Sequence, residues 1–68
     1  IKIPRSVTAI EWCAFYCCSS LKKIELPENV TYIGAYAFAG CDNLTIYAPA
    51  GSYAEQYAKE RNIPFIAE

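Results

Sequence analysis

Apolar and polar residues alternate through Ile1-Lys2-Ile3-Pro4 and through Leu21-Lys22-Lys23-Ile24-Glu25-Leu26-Pro27, the period-two pattern of a strand with one buried face. Each run ends at a proline, which has no amide to donate to a sheet ladder and so closes the strand. A polar pair follows, Arg5-Ser6 or Glu28-Asn29, and then Val-Thr-x-Ile. The spacing of Val7 to Ile10 and of Val30 to Ile33 predicts a tight turn or a short extended run. Trp12–Cys17 and Ala35–Gly40 each contain Ala-Phe, and the helix preference of alanine predicts one helical turn or a 3₁₀ segment there. Ala14 and Ala37 allow close approach, and Phe15 and Phe38 are expected to fill the interior.

This pattern is one unit written more than once. Residues 1–22 laid over residues 24–45, at an offset of 23, share Ile1/Ile24, Pro4/Pro27, Val7/Val30, Thr8/Thr31, Ile10/Ile33, Ala14/Ala37, Phe15/Phe38, Cys18/Cys41 and Leu21/Leu44. A third copy begins at Leu44-Thr45-Ile46-Tyr47-Ala48-Pro49, one residue shorter than Leu21–Pro27, and dissolves after its proline. A fixed period predicts coils that stack, each strand pairing in parallel with its copy in the next coil. The outward side chains then form a row, Lys2, Glu25 and Tyr47. Lys2 beside Glu25 suits that register, since opposite charges on adjacent strands contribute roughly 0.2–1 kcal/mol.

Positions that differ between the copies pair large with small: Ala9 with Tyr32, Trp12 with Ala35, Cys13 with Tyr36, Tyr16 with Ala39. Interdigitation of this kind suits a packed face, so Trp12, Tyr16, Tyr32 and Tyr36 read first as packing between repeats on the convex side. The alternative is an aromatic binding patch, because tyrosine and tryptophan are enriched at interaction hot spots.

After Pro49 and the hinge Ala50-Gly51, Ser52-Tyr53-Ala54-Glu55 has the form of a capping box that opens a helix. Tyr53, Ala54, Tyr57, Ala58 and the stem of Arg61 make its stripe for burial, with Glu55, Gln56, Lys59 and Glu60 facing water. Asn62 is the expected left-handed terminator, and Pro64 prevents continuation. Phe65-Ile66 reads as a final short strand or tail. The organisation predicted is two full repeats and a partial third over residues 1–49, then a capping helix and tail over 50–68. The terminal unit of a stacked array must be atypical if it is to cover the open end.

Composition narrows the functions. Sixty-eight residues form at most one domain, and a chain of this size buries only roughly 60% of its unfolded surface. The net charge is −1 with both signs interspersed, which points to neither nucleic acid nor an anionic membrane surface, and no apolar run is long enough for a membrane span. The four cysteines occur without a histidine, as C-x3-C-C-x22-C. This matches none of the paired spacings of a zinc site, and no metal or cofactor is expected. Cys18 and Cys41 share a repeat position and are expected to stack as buried, reduced thiols; a disulfide framework is the rival reading. Without histidine, Gly-rich phosphate loop or nucleophile motif, the chain is not expected to be an enzyme. It opens at Ile1 inside the motif, which predicts the C-terminal part of a longer array whose uncovered edge, with Ile1 and Ile3, invites self-association.

Leu21 to Gly34 together with Ala37-Phe38 and Cys41 resembles the BspA-like leucine-rich repeats: Leu, two residues, Ile-x-Leu-Pro, two residues, Val-Thr-x-Ile-Gly, then Ala-Phe and Cys. The period, within about 20–29 residues, agrees. The first repeat departs at Glu11, where the pattern has glycine, and the third lacks one residue before Ile46. The stretch Gly51-Ser52-Tyr53-Ala54-Glu55-Gln56-Tyr57-Ala58 is similar to the helix that ends arrays in this family. The resemblance implies an α/β solenoid, a right-handed superhelix of short parallel strands and short helical turns closed by a capping helix. It also implies a non-catalytic protein–protein interaction module, the C-terminal part of a bacterial secreted or cell-surface, adhesin-like protein that binds proteins of a host or of neighbouring cells. The sheet face around Lys2, Lys22, Lys23, Glu25, Thr45 and Tyr47 is the predicted binding surface. The alternative is a structural cap, with recognition left to other repeats.

Overall fold

The computed structural model describes all of residues 1–68. Strands β1 (Ala9–Ile10), β2 (Lys23–Glu25), β3 (Tyr32–Ile33) and β4 (Thr45–Ala48) are followed by helix α1 (Tyr53–Glu60) and strand β5 (Phe65–Ala67). Every pairing is parallel. One sheet has the order β2-β4-β5, extended by a bridge from Lys2 to Glu25, and the other pairs β1 with β3. Lys2 meets Glu25 and Ala9 meets Tyr32, the offset of 23 read from the sequence. Ile24 meets Ile46 at 22, which is the one-residue deletion in the third copy. The Val-Thr-x-Ile segments thus resolve into short extended runs, Thr31 N–H donating to Thr8 O at 2.9 Å and Gly34 N–H to Ile10 O at 2.8 Å.

The Ala-Phe segments are not helical turns. Each is a run of three β-turns, closed in the first coil by Ala14 N–H to Glu11 O, Tyr16 N–H to Cys13 O and Cys18 N–H to Phe15 O. The second coil repeats them as Ala37 to Gly34, Ala39 to Tyr36 and Cys41 to Phe38, all six bonds falling between 3.1 and 3.3 Å. The intervening amides donate across the stack instead, Cys13 to Ala35 O, Phe15 to Ala37 O and Cys17 to Ala39 O at 3.2, 2.8 and 2.7 Å. A helix would spend every amide within its own coil. Helix preference amounts to tenths of a kcal/mol per residue, too little to outweigh a ladder that unites two coils. The cost of the turns is a positive φ in the third residue of the first and last turn: Cys13 (59°) and Cys17 (58°), then Tyr36 (60°) and Gly40 (81°). Only glycine adopts that conformation freely; the others are strained by about 1–2 kcal/mol each.

Inside, Phe15 and Phe38 stack with centroids 5.4 Å apart and planes 3° from parallel. The core contains Ile10, Ile24, Leu26, Val30, Ile33, Ala37, Phe38, Leu44, Ile46, Ala48, Ala54, Tyr57 and Ala58. Gly34 is required by closeness rather than by φ: a Cβ there would lie 2.7 Å from the backbone N of Trp12.

Helix α1 starts at Ser52, whose Oγ accepts from Glu55 N–H at 3.3 Å. The reciprocal half of the box is displaced by one residue, because the Glu55 carboxylate accepts from Gly51 N–H at 2.6 Å while Ser52 N–H donates to Pro49 O. At the other end Asn62 has φ 58°, Asn62 N–H donates to Lys59 O and Ile63 N–H to Ala58 O. This is a Schellman termination, and Ile63 packs on the core as that motif requires. Ala54, Tyr57 and Ala58 are buried as expected, whereas Tyr53 stays exposed at the rim.

Candidate interaction surfaces

Parallel pairing in register places the outward positions of β2, β4 and β5 side by side. Lys2, Glu25, Tyr47 and Ile66 form one row across the sheet, and Lys23 and Thr45 begin a second. Of the six residues predicted for this face, Lys2, Lys23, Glu25, Thr45 and Tyr47 come together on it; Lys22 is exposed just before β2. Lys23 Nζ lies 4.6 Å from the centroid of the Tyr47 ring and 3.9 Å from the Glu25 carboxylate. Lys23 is more than half exposed, so these contacts orient the side chain and contribute little stability. Lys2 and Lys23 against the one carboxylate of Glu25 leave the face basic, and Lys22 adjoins it. Ile66, about half exposed, belongs to the same row and was not anticipated: Ile46 meets Phe65 only 19 residues on, so the period cannot reveal it.

At the proline end of this sheet an open groove of about 320 Å³ includes Lys2, Arg5, Glu25, Glu28 and Glu68. It mixes both signs of charge and brings no nucleophile to a base.

On the other side the aromatic residues do not pack between repeats. Trp12, Tyr16, Tyr32 and Tyr36 are 68, 55, 50 and 62% exposed. The large-to-small alternation is real in register, Ala9 facing Tyr32 across the strand pair, but these positions point outward because the inward ones are already filled by Phe15, Ile33, Ala37 and Phe38. The Tyr16 phenol is raised above its usual value, first by a hydrogen bond with the Cys17 side chain and then by that group's charge.

The cysteines depart from the buried pair expected. Cys17 is exposed, and Cys13, Cys18 and Cys41 are half-buried. Cys41 Sγ donates to Phe15 O at 3.2 Å, and burial pushes its thiol above the ordinary range.

A family model described as a BspA type leucine-rich repeat region (6 copies) matches residues 1–58. The chain belongs to the BspA-type leucine-rich repeat family. The matched stretch takes in both coils and most of α1, so the parallel ladders described above are the repeats of that family, which implies a solenoid-like fold. BspA-type membership also suggests a protein-interaction module and a generally non-catalytic role. No curated protein and no solved structure matches the chain. No helix is long and apolar enough to cross a membrane.

Proposed function

We propose that this chain is a non-catalytic protein-interaction module whose binding surface is the β2-β4-β5 sheet face. The observation that carries this reading is the register: it sets Lys2, Glu25, Tyr47 and Ile66 in one outward row, with Lys23 laid over Tyr47. A face made basic by Lys2 and Lys23 around one aromatic ring offers both charge steering and a hot-spot residue. The family typically occurs on surfaces or in secreted proteins, which supports an adhesin-like role in a bacterial protein toward proteins of a host or of neighbouring cells. On this reading residues 1–49 are the recognition coils, wound as a right-handed superhelix, and 50–68 close them. The test is binding of the chain to immobilised extracellular-matrix and cell-surface proteins, with and without Lys23→Ala, Glu25→Ala and Tyr47→Ala combined. A loss of about tenfold or more is expected; unchanged binding would remove this face from consideration.

A second reading, a structural cap, is favoured by the packing of α1. Tyr57 lies edge-on to Phe38, with centroids 6.1 Å apart, and Ala54 and Ala58 are fully buried. If other coils perform the recognition, an array from which residues 1–68 are deleted should bind the same proteins undiminished while melting at lower temperature.

A further inference from the structure

The cleft between the second coil and α1 has the makings of a binding pocket of its own. It measures about 230 Å³ and is lined by Tyr36, Phe38, Ala39, Tyr57, Arg61 and Ile63. Its walls are held from both sides. Phe38 stacks on Phe15 and meets the edge of Tyr57, and Ile63 is fixed by the termination of α1. Two polar groups at this apolar site are unspent. The Tyr57 ring is buried, yet its hydroxyl makes no hydrogen bond within the protein and is not sealed from solvent. The Arg61 guanidinium, 5.1 Å from the centroid of the Tyr57 ring, forms neither an ion pair nor a side-chain hydrogen bond.

Each feature selects the occupant. The volume falls below the roughly 300–1,000 Å³ that whole small-molecule ligands occupy, so the cleft suits one side chain. Aromatic walls favour an aromatic ring, which gains from edge-to-face and offset contacts beyond its buried area. A guanidinium with free donors matches a carboxylate in two parallel hydrogen bonds, and the neighbouring phenol is a further donor. A cationic guest would be repelled.

We propose that this cleft captures the carboxyl-terminal aromatic residue of a partner protein, with the ring between Tyr36, Phe38 and Ile63 and the carboxylate on Arg61 and the Tyr57 hydroxyl. A terminal phenylalanine presents ring and carboxylate on one residue, as a pocket this small demands. The proposal rests on the reading of the chain as a protein-interaction module, but it uses none of the residues of the sheet face.

The experiment is a titration of the ¹⁵N-labelled full chain with N-acetyl-Gly-Gly-Phe, followed by amide chemical shifts, alongside the same peptide capped as the carboxamide. Saturable shifts centred on Phe38, Ala39, Arg61 and Ile63 are expected, with the carboxamide binding about tenfold more weakly, the scale of one charged hydrogen bond. Arg61→Gln should abolish the preference for the free carboxylate without altering circular dichroism, and Arg61→Lys should restore part of it. Equal binding of the two peptides would overturn the proposal, as would an absence of shifts at these amides. Shifts confined to Lys23, Glu25 and Tyr47 would overturn it too, while leaving the sheet-face reading standing. Retention of the cleft shifts in the combined Lys23, Glu25 and Tyr47 variant would separate the two surfaces in the other direction.

Discussion

The first coil and the second are written in the same pattern and folded along the same path, yet they are buried differently. Leu26, Val30, Phe38 and Leu44 lie in the core, whereas Ile3, Val7, Phe15 and Leu21, their counterparts 23 residues earlier, are only partly buried against it. Ala37 is fully buried and Ala14 is exposed. The side chains are the same or nearly so; the neighbours are not. Within residues 1–68 the second coil is flanked by the first coil and by β4, α1 and β5, while the first meets the second alone. In a stack of repeats, burial belongs to the position in the stack, and the sequence of a repeat specifies only which residues are available to be buried.

The sharpest way to break this comparison is to truncate the same residue in both coils. Phe38→Ala is expected to cost about 3–5 kcal/mol, since it removes a buried ring stacked on Phe15 and set against Tyr57. Phe15→Ala should cost roughly half of that, because less of its surface leaves water on folding. Urea denaturation followed by circular dichroism measures both, and the first variant could be unfolded before urea is added. Equal losses would mean that the two coils share one core with no gradient along the stack.

A smaller and more local contrast lies at Gly34. Its counterpart is Glu11, which departs from the family pattern. A Cβ on Gly34 would fall 2.7 Å from Trp12 N and 2.9 Å from Trp12 Cα, so the backbones of the two coils must separate to admit it. Gly34→Ala should cost about 1–3 kcal/mol, the range for overpacking. Within residues 1–68 the glutamate side chain at position 11 is exposed, and in this chain Glu11→Ala should fall within about 0.5 kcal/mol of the parent. Both are read from the same denaturation curves. A neutral Gly34→Ala would show that contact between coils is looser than the geometry indicates.

The repeat made the strands, their parallel sense and the row Lys2–Glu25–Tyr47 legible in the sequence, because a period carries register directly. The helix was legible from Ser52, Glu55 and Asn62, whose chemistry is local. What the sequence did not show was decided by groups that the period does not relate. Turns replaced helical segments at Ala14-Phe15 and Ala37-Phe38 because amides could donate across the stack, a bond that local preference cannot anticipate. Trp12, Tyr16, Tyr32 and Tyr36 faced out because Phe15, Ile33, Ala37 and Phe38 already occupied the inside. Ile66 joined the sheet face, and Arg61 joined Tyr36 and Phe38 at the cleft, through contacts between the repeats and a segment that does not repeat.

The smallest effect concerns how α1 is held over the second coil. Ser52→Ala removes the acceptor for Glu55 N–H and should cost about 1 kcal/mol. Glu55 adds a dependence on pH: its carboxylate accepts from Gly51 N–H and then pairs with Lys59 at 2.9 Å, and these hold its pKa below the ordinary 4.5. For a carboxyl depressed in the folded state, the folded chain binds fewer protons than the unfolded one between the two pKa values. The stabilisation is therefore complete above the unfolded value and is lost as pH falls from about 4.5 through the folded value. Glu55→Gln should remove that part of the acid dependence. Because α1 rests on Phe38 through Tyr57 and does not touch the outer coil's Phe15 in the same way, acidification should raise amide exchange at Ala37, Cys41 and Ile63 before it does so at the ladder amides of Cys13 and Phe15. Simultaneous exchange in both coils at acid pH would show that the stack opens as one unit, and that the gradient in burial has no counterpart in local stability.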